Sequence, residues 1–267
     1  MKFLLKKARK VILRDPATGE HKATITQLKN ITLAGSAEEV TAEGADGVIL
    51  AAWDNKKTSE ISGSSGLISV DYLALQVGDE MKEITNGHGP LWSETLTTSD
   101  GTKVKTTYKA SGTTGNEIAF IYALDETGDP DHSKKYTQGS SAGASAFAYD
   151  PETKEITLPT SVFKAGDKVY VEYFPTFKSY LEISNSATKF AETCAVYVDG
   201  YFTDPCTKKD FPMQVYCPSG KVSGELNYQF GDQAAVQDFS IKATVNSCEE
   251  DQILWKFYKY DTSEIAE

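Results

Sequence analysis

Lys22-Ala-Thr-Ile-Thr-Gln-Leu-Lys-Asn-Ile-Thr-Leu33 decides the fold class. It is rich in β-branched residues, and polar side chains alternate with apolar ones, which is the two-residue period of a strand with one covered face. The length of the run predicts a long strand with a bulge near Gln27.

The same period recurs downstream. Short alternating runs at Lys103–Tyr108, Glu117–Tyr122 and Lys168–Tyr173 are separated by Ser-Asp-Gly, Thr-Gly-Asp-Pro and Ala-Gly-Asp turns. Longer runs follow at Lys178–Ile183, Thr193–Val198, Lys221–Phe230, Gln237–Val245 and Ile253–Tyr260. Ala45–Trp53 is apolar apart from Asp46, and its periodicity fits a strand or a short helix. Helical spacing occurs at Leu67–Val77, where Leu67, Val70, Leu73 and Ala74 share one face. Ser64 and Ser65 precede it as caps, and Gly78 stands where a helix stops. That face is expected to pack on a sheet.

The expected fold is therefore mainly β: two packed antiparallel sheets in a sandwich or barrel-like core, one α-helix at about residues 67–77, and a turn-rich β elaboration in mid-chain. Residues 1–79 and 177–267 are assigned to the core, and residues 80–176 to the elaboration or an inserted module.

Composition narrows the function. The chain has 267 residues, 40% of them hydrophobic, enough for a sizeable core. Its net charge of −11 repels nucleic-acid phosphates, which argues against a DNA binder of the usual kind. No apolar run approaches the ~18 residues of a membrane span. The basic segment Met1–Lys10 contains an apolar stretch too short for a secretory signal, so folding in the cytosol is expected. Cys194, Cys206, Cys217 and Cys248 have neither CxxC spacing nor a histidine nearby, and are read as free, mostly buried thiols.

The residues of chemistry are sparse. His21, His88 and His132 lie far apart in apparent loops, and GxSxG, HExxH and P-loop motifs are absent from the sequence. Asp125–Asp131 clusters carboxylates but lacks the alternating ligands and closing glutamate of a calcium loop, so it reads as a solvated hairpin tip. Glu38-Glu39 and Glu249-Glu250-Asp251 read the same way. Tyr170, Tyr173, Phe174, Phe177 and Tyr180 could form a sugar-stacking strip, but alternation sends about half of them into a core. No catalytic, cofactor-binding or metal-ligating residue is assigned, and a non-enzymatic, self-assembling β protein is the expected class.

Two stretches carry a family resemblance. Lys56-Lys-Thr-Ser-Glu-Ile-Ser-Gly-Ser-Ser-Gly-Leu-Ile-Ser-Val-Asp-Tyr-Leu-Ala-Leu-Gln-Val-Gly78, and Phe239-Ser-Ile-Lys-Ala-Thr-Val245 followed by Leu254-Trp-Lys-Phe-Tyr-Lys-Tyr260, resemble the tail tube proteins of long-tailed bacteriophages. The resemblance implies two packed sheets beside one helix. It also implies six subunits per ring, and rings stacked into a hollow tube that conducts DNA. The principal partner is then a further copy of the chain, with sheath, tape-measure, baseplate and terminator proteins beside it. DNA passes transiently and without sequence preference, no cofactor or membrane insertion is involved, and the tube belongs to the virion tail, assembled in the host cytoplasm. The alternatives are another tail or baseplate ring protein on the same β core, and a carbohydrate-binding or adhesive β-sandwich.

Within this reading, Gly35–Asp54 is the candidate inter-ring segment. Glu38, Glu39 and Glu43 keep it soluble, while Val48, Ile49, Leu50 and Trp53 need cover, so it is expected to order on docking. The candidate lumen set is Glu225, Asn227 and Gln229, alternating with Leu226, Tyr228 and Phe230, together with Thr24, Thr26 and Lys29 on a neighbouring strand. Such a lining would let DNA slide without being held.

Overall fold

The computed structural model describes residues 4–228, 235–245 and 251–261, and the chain divides into two units: Met1–Met81 with Ile183–Glu267, and Lys82–Glu182. The first unit opens with β1 Leu4–Arg14, β2 His21–Ile25, β3 Leu28–Glu43, β4 Ile49–Ser65 and α1 Val70–Val77. The second holds β5 Lys82–Thr85, β6 Trp92–Thr97, β7 Lys103–Lys105, β8 Phe120–Leu124, β9 Pro130–Gln138, β10 Ala146–Asp150, β11 Glu155–Thr157, β12 Lys168–Tyr173 and β13 Ser179–Glu182. The first unit resumes with β14 Thr193–Thr203, β15 Asp210–Val222, β16 Gln237–Ala243 and β17 Lys256–Lys259. Among the described residues the fold is mainly β with one helix, the class that the sequence pattern predicts.

The first unit is built on one antiparallel sheet in the order β2-β1-β14-β15-β16-β4-β3, with β17 also paired to β15. Its end strands, β2 and β3, are consecutive in sequence and separated only by Thr26 and Gln27. A link that short spans roughly 10 Å at most, so the sheet must curl until its two ends nearly meet, giving a barrel-like core. The corner is fixed by Gln27 at φ 52°, by Ser65 Oγ at 2.7 Å from the Thr26 carbonyl, and by the Gly66 N–H donating to the Gln27 carbonyl at 3.0 Å. The stretch from Lys22 to Leu33, expected as one bulged strand, is thus two strands. The left-handed Gln27 turns the chain out of the β2 ladder, and the register shift expected nearby falls just beyond it, between Leu28 and Asn30 of β3.

Inside the curl lie Val11, Leu13, Ala23, Ile25, Val196, Val198, Phe202, Val215 and Ile241, each less than a tenth exposed and each on the inward phase of its strand. Tyr72 and Leu75 of α1 join them, Tyr72 meeting Phe239 edge-on at 6.3 Å.

The helix corrects the expectation for this region. It begins at Val70 with Ser69 as its cap, whose Oγ accepts the Tyr72 N–H at 3.3 Å. Ser64 and Ser65 are unavailable as caps because both serve the β4 end: Asn30 Oδ1 takes the Ser64 N–H and hydroxyl, and Ser65 is buried at the Thr26 corner. The buried face is Tyr72, Leu75, Gln76 and Val77, while Leu67 and Val70 are exposed and Leu73 and Ala74 are half-buried. A later start rotates the inward stripe away from the one that begins at Leu67. Gly78 ends the helix as expected, at φ 69°, where an added Cβ would fall 2.1 Å from the Phe190 carbonyl oxygen.

Further strand boundaries differ. β15 ends at Val222 and residues 223–228 are irregular, so of the run from Lys221 to Phe230 only Lys221 and Val222 are strand among the described residues. Gln229 and Phe230 lie outside the described residues. The apolar run Ala45–Trp53 divides into a turn and the start of β4. His21 and His132 sit in β2 and β9 rather than in loops.

The second unit has a seven-stranded sheet, β6-β12-β8-β9-β10-β11-β7, antiparallel except between β9 and β10, and a small β13-β5 ladder. Its core gathers Ile118, Ile121, Phe147, Ile156, Val169, Val171 and Tyr173. Burying tyrosines is tolerable because their hydroxyls are engaged. Tyr173 donates to Glu94 Oε1 at 2.8 Å and accepts the Tyr108 N–H at 3.0 Å, and Tyr149 accepts the Ala110 N–H at 2.9 Å. At the acidic tip, Asp125 Oδ1 accepts the Thr127 hydroxyl and the N–H groups of Thr127 and Asp129. These bonds hold its carboxyl below the usual range and make the cluster a self-contained turn.

The helix face gives a stability test. Leu75→Ala should cost about 2–5 kcal/mol in urea unfolding, whereas Val70→Ala should stay within about 0.5 kcal/mol. The thiols give a second. Burial pushes Cys194 and Cys217 up to about 11, so little thiolate exists at pH 8, whereas Cys206 is exposed. Among these, iodoacetamide at pH 8 should label Cys206 first in native protein, as read by peptide mass spectrometry, and the other two only on unfolding. Cys248 lies outside the described residues.

Candidate assembly surface

β3 and β4 pair along their whole length, but β16 covers only Glu60–Ser65 of β4. Beyond that point the two strands run on as a ribbon, from Gly35 opposite Ser59 to Glu43 opposite Ile49, about 30 Å of chain at strand rise. A turn closes it, with the Gly44 N–H donating to the Val48 carbonyl at 2.8 Å and Gly47 at φ 71°, a conformation glycine tolerates without strain. The expectation that Gly35–Asp54 orders only on docking is corrected here. The segment is a hairpin arm whose backbone groups already pair across the ribbon.

Residues opposite one another share a face, so the arm has two different sides. Val40 with Trp53 and Ala42 with Ala51 form an apolar side; Glu39 with Asp54 and Thr41 with Ala52 form a polar one. Val48, Ile49, Leu50 and Trp53 are 61%, 59%, 71% and 52% exposed. An isolated two-stranded ribbon is marginal in water, and this one also places like charges opposite each other at Glu39 and Asp54. Glu38 lies opposite Lys56.

The same unit also has an apolar recess. Leu5 and Ala8 of β1, Ile31 and Leu33 of β3, Met213 and Val215 of β15, and Trp255 and Phe257 line a cavity of about 370 Å³. β1 beside it carries Lys6, Lys7, Arg9 and Lys10 and no acid. Lys6 pairs with Asp210 at 2.6 Å and Lys10 with Asp199 at 3.5 Å. Sequence reasoning missed this recess, although the alternation of Trp255 and Phe257 in the last hairpin is its signal.

The other candidate residues are scattered. Glu225 and Asn227 are exposed on the irregular segment after β15, but Leu226 between them is also 36% exposed, so the strand alternation invoked for that stretch does not operate. That segment is tied to α1 by Gln76 Nε2, which donates to the Glu225 carbonyl at 3.2 Å. Thr24 lies on the outward phase of β2, between the buried Ala23 and Ile25, with its hydroxyl 2.8 Å from His21 Nε2. Thr26 and Lys29 flank the Gln27 corner, both exposed.

Among the described residues, no three His, Cys, Asp or Glu side chains converge as a metal set, and no helix is long and apolar enough to cross a membrane. The first unit thus exposes an apolar arm and an apolar recess. No curated protein matches the chain. A family model does, over residues 3–253, nearly the whole length, and it describes phage-associated tube proteins. The chain belongs to the YomU/Tube protein family.

Proposed function

We propose that this tube-family protein is the structural subunit of a phage tail tube, closing into hexameric rings that stack into a hollow conduit for DNA. The observation that carries the reading is the β3–β4 arm, which presents Val48, Ile49, Leu50 and Trp53 to solvent on a ribbon that one copy of the chain leaves uncovered. Its cover is a second copy. The arm tip, with Glu43 and Asp46, reaches toward the basic β1 and the apolar recess of the subunit in the next ring. An arm and a recess at different places on one chain make a heterologous contact, which builds a filament when its repeat advances along the axis without closing. Opposite charge on the two surfaces would set orientation, and the apolar tip would supply most of the burial.

Glu225, Asn227 and Gln229 remain the proposed bore lining, with Thr24, Thr26 and Lys29 as further members on a different part of the sheet. Each inward lysine would add a phosphate contact and hold the DNA, so an excess of acid and small polar groups favours passage. In the virion the protein would sit in the tail, against sheath, tape-measure, baseplate and terminator proteins.

Electron microscopy of the purified protein tests the assembly. Wild type should form hollow filaments of uniform width. Replacing residues 37–57 by Asn-Gly, which closes the hairpin at the Ser36–Thr58 pair, should leave a folded protein that makes none. Filaments from the truncated chain would refute the role of the arm, and wild-type protein that stays monomeric at high concentration would refute the tube. For the bore, Glu225→Lys tubes should retain DNA at low salt and release it at high salt. The salt slope should steepen by about 0.9 for each phosphate that the new lysines neutralise. Unchanged retention would remove Glu225 from the lining.

A further inference from the structure

The second unit carries an outward aromatic face, apart from the arm and recess invoked for assembly. β8 and β12 lie side by side with Tyr122 opposite Tyr170. Ile121, Val169 and Val171 point into the core at 0% exposure, so Phe120, Tyr122, Tyr170 and Glu172 take the outward phase. The rings form a row: Tyr122 is 6.4 Å from Tyr170 on one side and 6.4 Å from Phe120 on the other, centroid to centroid. His132 meets Tyr122 edge-on at 5.6 Å.

At its Phe120 end the row enters a cleft of about 370 Å³ bounded also by His88, Asn116, Glu117, Glu172 and Phe174. Phe174 is 49% exposed. The polar groups of the cleft are chiefly acceptors. Glu117 is 8% exposed and is held by the Gly115 N–H at 3.0 Å and Gln138 Nε2 at 2.7 Å, both to Oε2. Glu172 accepts the Tyr170 hydroxyl at 2.8 Å. Ser111 spends its one hydroxyl proton on the Phe174 carbonyl at 2.6 Å, so it must accept from His88 Nδ1 at 2.7 Å. That fixes the neutral imidazole as the Nδ1–H tautomer and leaves Nε2 as an acceptor.

We infer that this cleft binds a neutral glycan. Pyranose rings present apolar C–H faces that stack on aromatic rings, and a rim of hydroxyls that donate to carboxylates and imidazole nitrogen. The lining has both parts, and its volume lies in the range of ligand clefts, ~300–1,000 Å³. Glu117 and Glu172 repel anionic ligands, and Lys135, whose Nζ sits 4.4 Å from the Phe120 centroid, covers one face of that ring and leaves Tyr122 and Phe174 for stacking. Tyr173 is buried, as strand alternation requires, and takes no part in the row. Phe120 and Tyr122 of β8, absent from the strip expected around Tyr170, complete it.

Affinity electrophoresis of the full chain tests this, using native gels cast with dextran, hydroxyethyl cellulose, galactomannan or xylan. At least one polysaccharide should retard the wild type relative to a gel without it. Phe174→Ala and Glu172→Gln should each weaken that retardation about tenfold while melting at the wild-type temperature, since neither side chain is part of the core. Retardation by none of the four would overturn the inference, and so would retardation that both variants retain in full. Filament formation by electron microscopy should be unaffected by either variant, so this result and the assembly result stand apart.

Discussion

The first unit depends on a two-residue link. Thr26 and Gln27 join the strands at opposite ends of a long sheet, and no flat or gently twisted sheet can satisfy so short a connection. Curling is therefore imposed by connectivity, and side-chain choice follows. The inward residues of β1, β2, β14 and β15 are apolar because a curled sheet has one enclosed face, and Ser65 is polar because it must hold the corner carbonyl. Gln237 extends the same logic. Fully buried, it accepts the Ser69 N–H at 2.7 Å and donates to the Ser69 carbonyl at 3.2 Å and the Tyr228 hydroxyl at 2.8 Å. An amide side chain thus acts as one more rung of ladder and fixes where the helix can begin.

The arm is the counterpart of that closure. β4 has two sheet neighbours only where β16 reaches it, and one where it does not. The first stretch buries Ile61 and Ser65; the second exposes nearly every side chain. A single strand thereby belongs to the core at one end and to the surface at the other. Free edges of this kind are usually guarded against unwanted pairing, and here the guard is charge, with Lys56, Lys57, Glu38 and Glu39 set along the ribbon.

Much of this was legible in the sequence. Period-two alternation identified the β class and strands such as β8, β12, β14 and β16, because burial on one face leaves a direct mark on residue choice, but it picked out no run for β1, β9 or β10 and only the last two residues of β15. Where the reading failed, the deciding contact was remote. Gln27 looks like a bulge from its neighbours and is a corner because of Ser65 and Gly66. Ser69 outcompetes Ser64 and Ser65 as the helix cap because Asn30 and Thr26 claim the other two. Residues 223–228 alternate in sequence, yet β16 pairs with β15 only through Gly220–Val222, and without a neighbour alternation builds nothing. The row of rings was half visible: Tyr170 stands out in its own run, while its partners on β8 come from a distant one that only strand pairing brings alongside.

The β5–β13 ladder has a further consequence. Lys82 pairs with Glu182, the first residue of the second unit with its last, so the points where the chain leaves and rejoins the first unit are neighbours, roughly 5 Å apart between Cα atoms. Once that ladder forms, residues 82–182 weigh on the remainder of the chain as a very short loop would, because their closure entropy is settled inside the second unit. The long sequence separation between α1 and β14 then ceases to slow their meeting. A unit joined in this way can be replaced or lost while the strands around it keep their register.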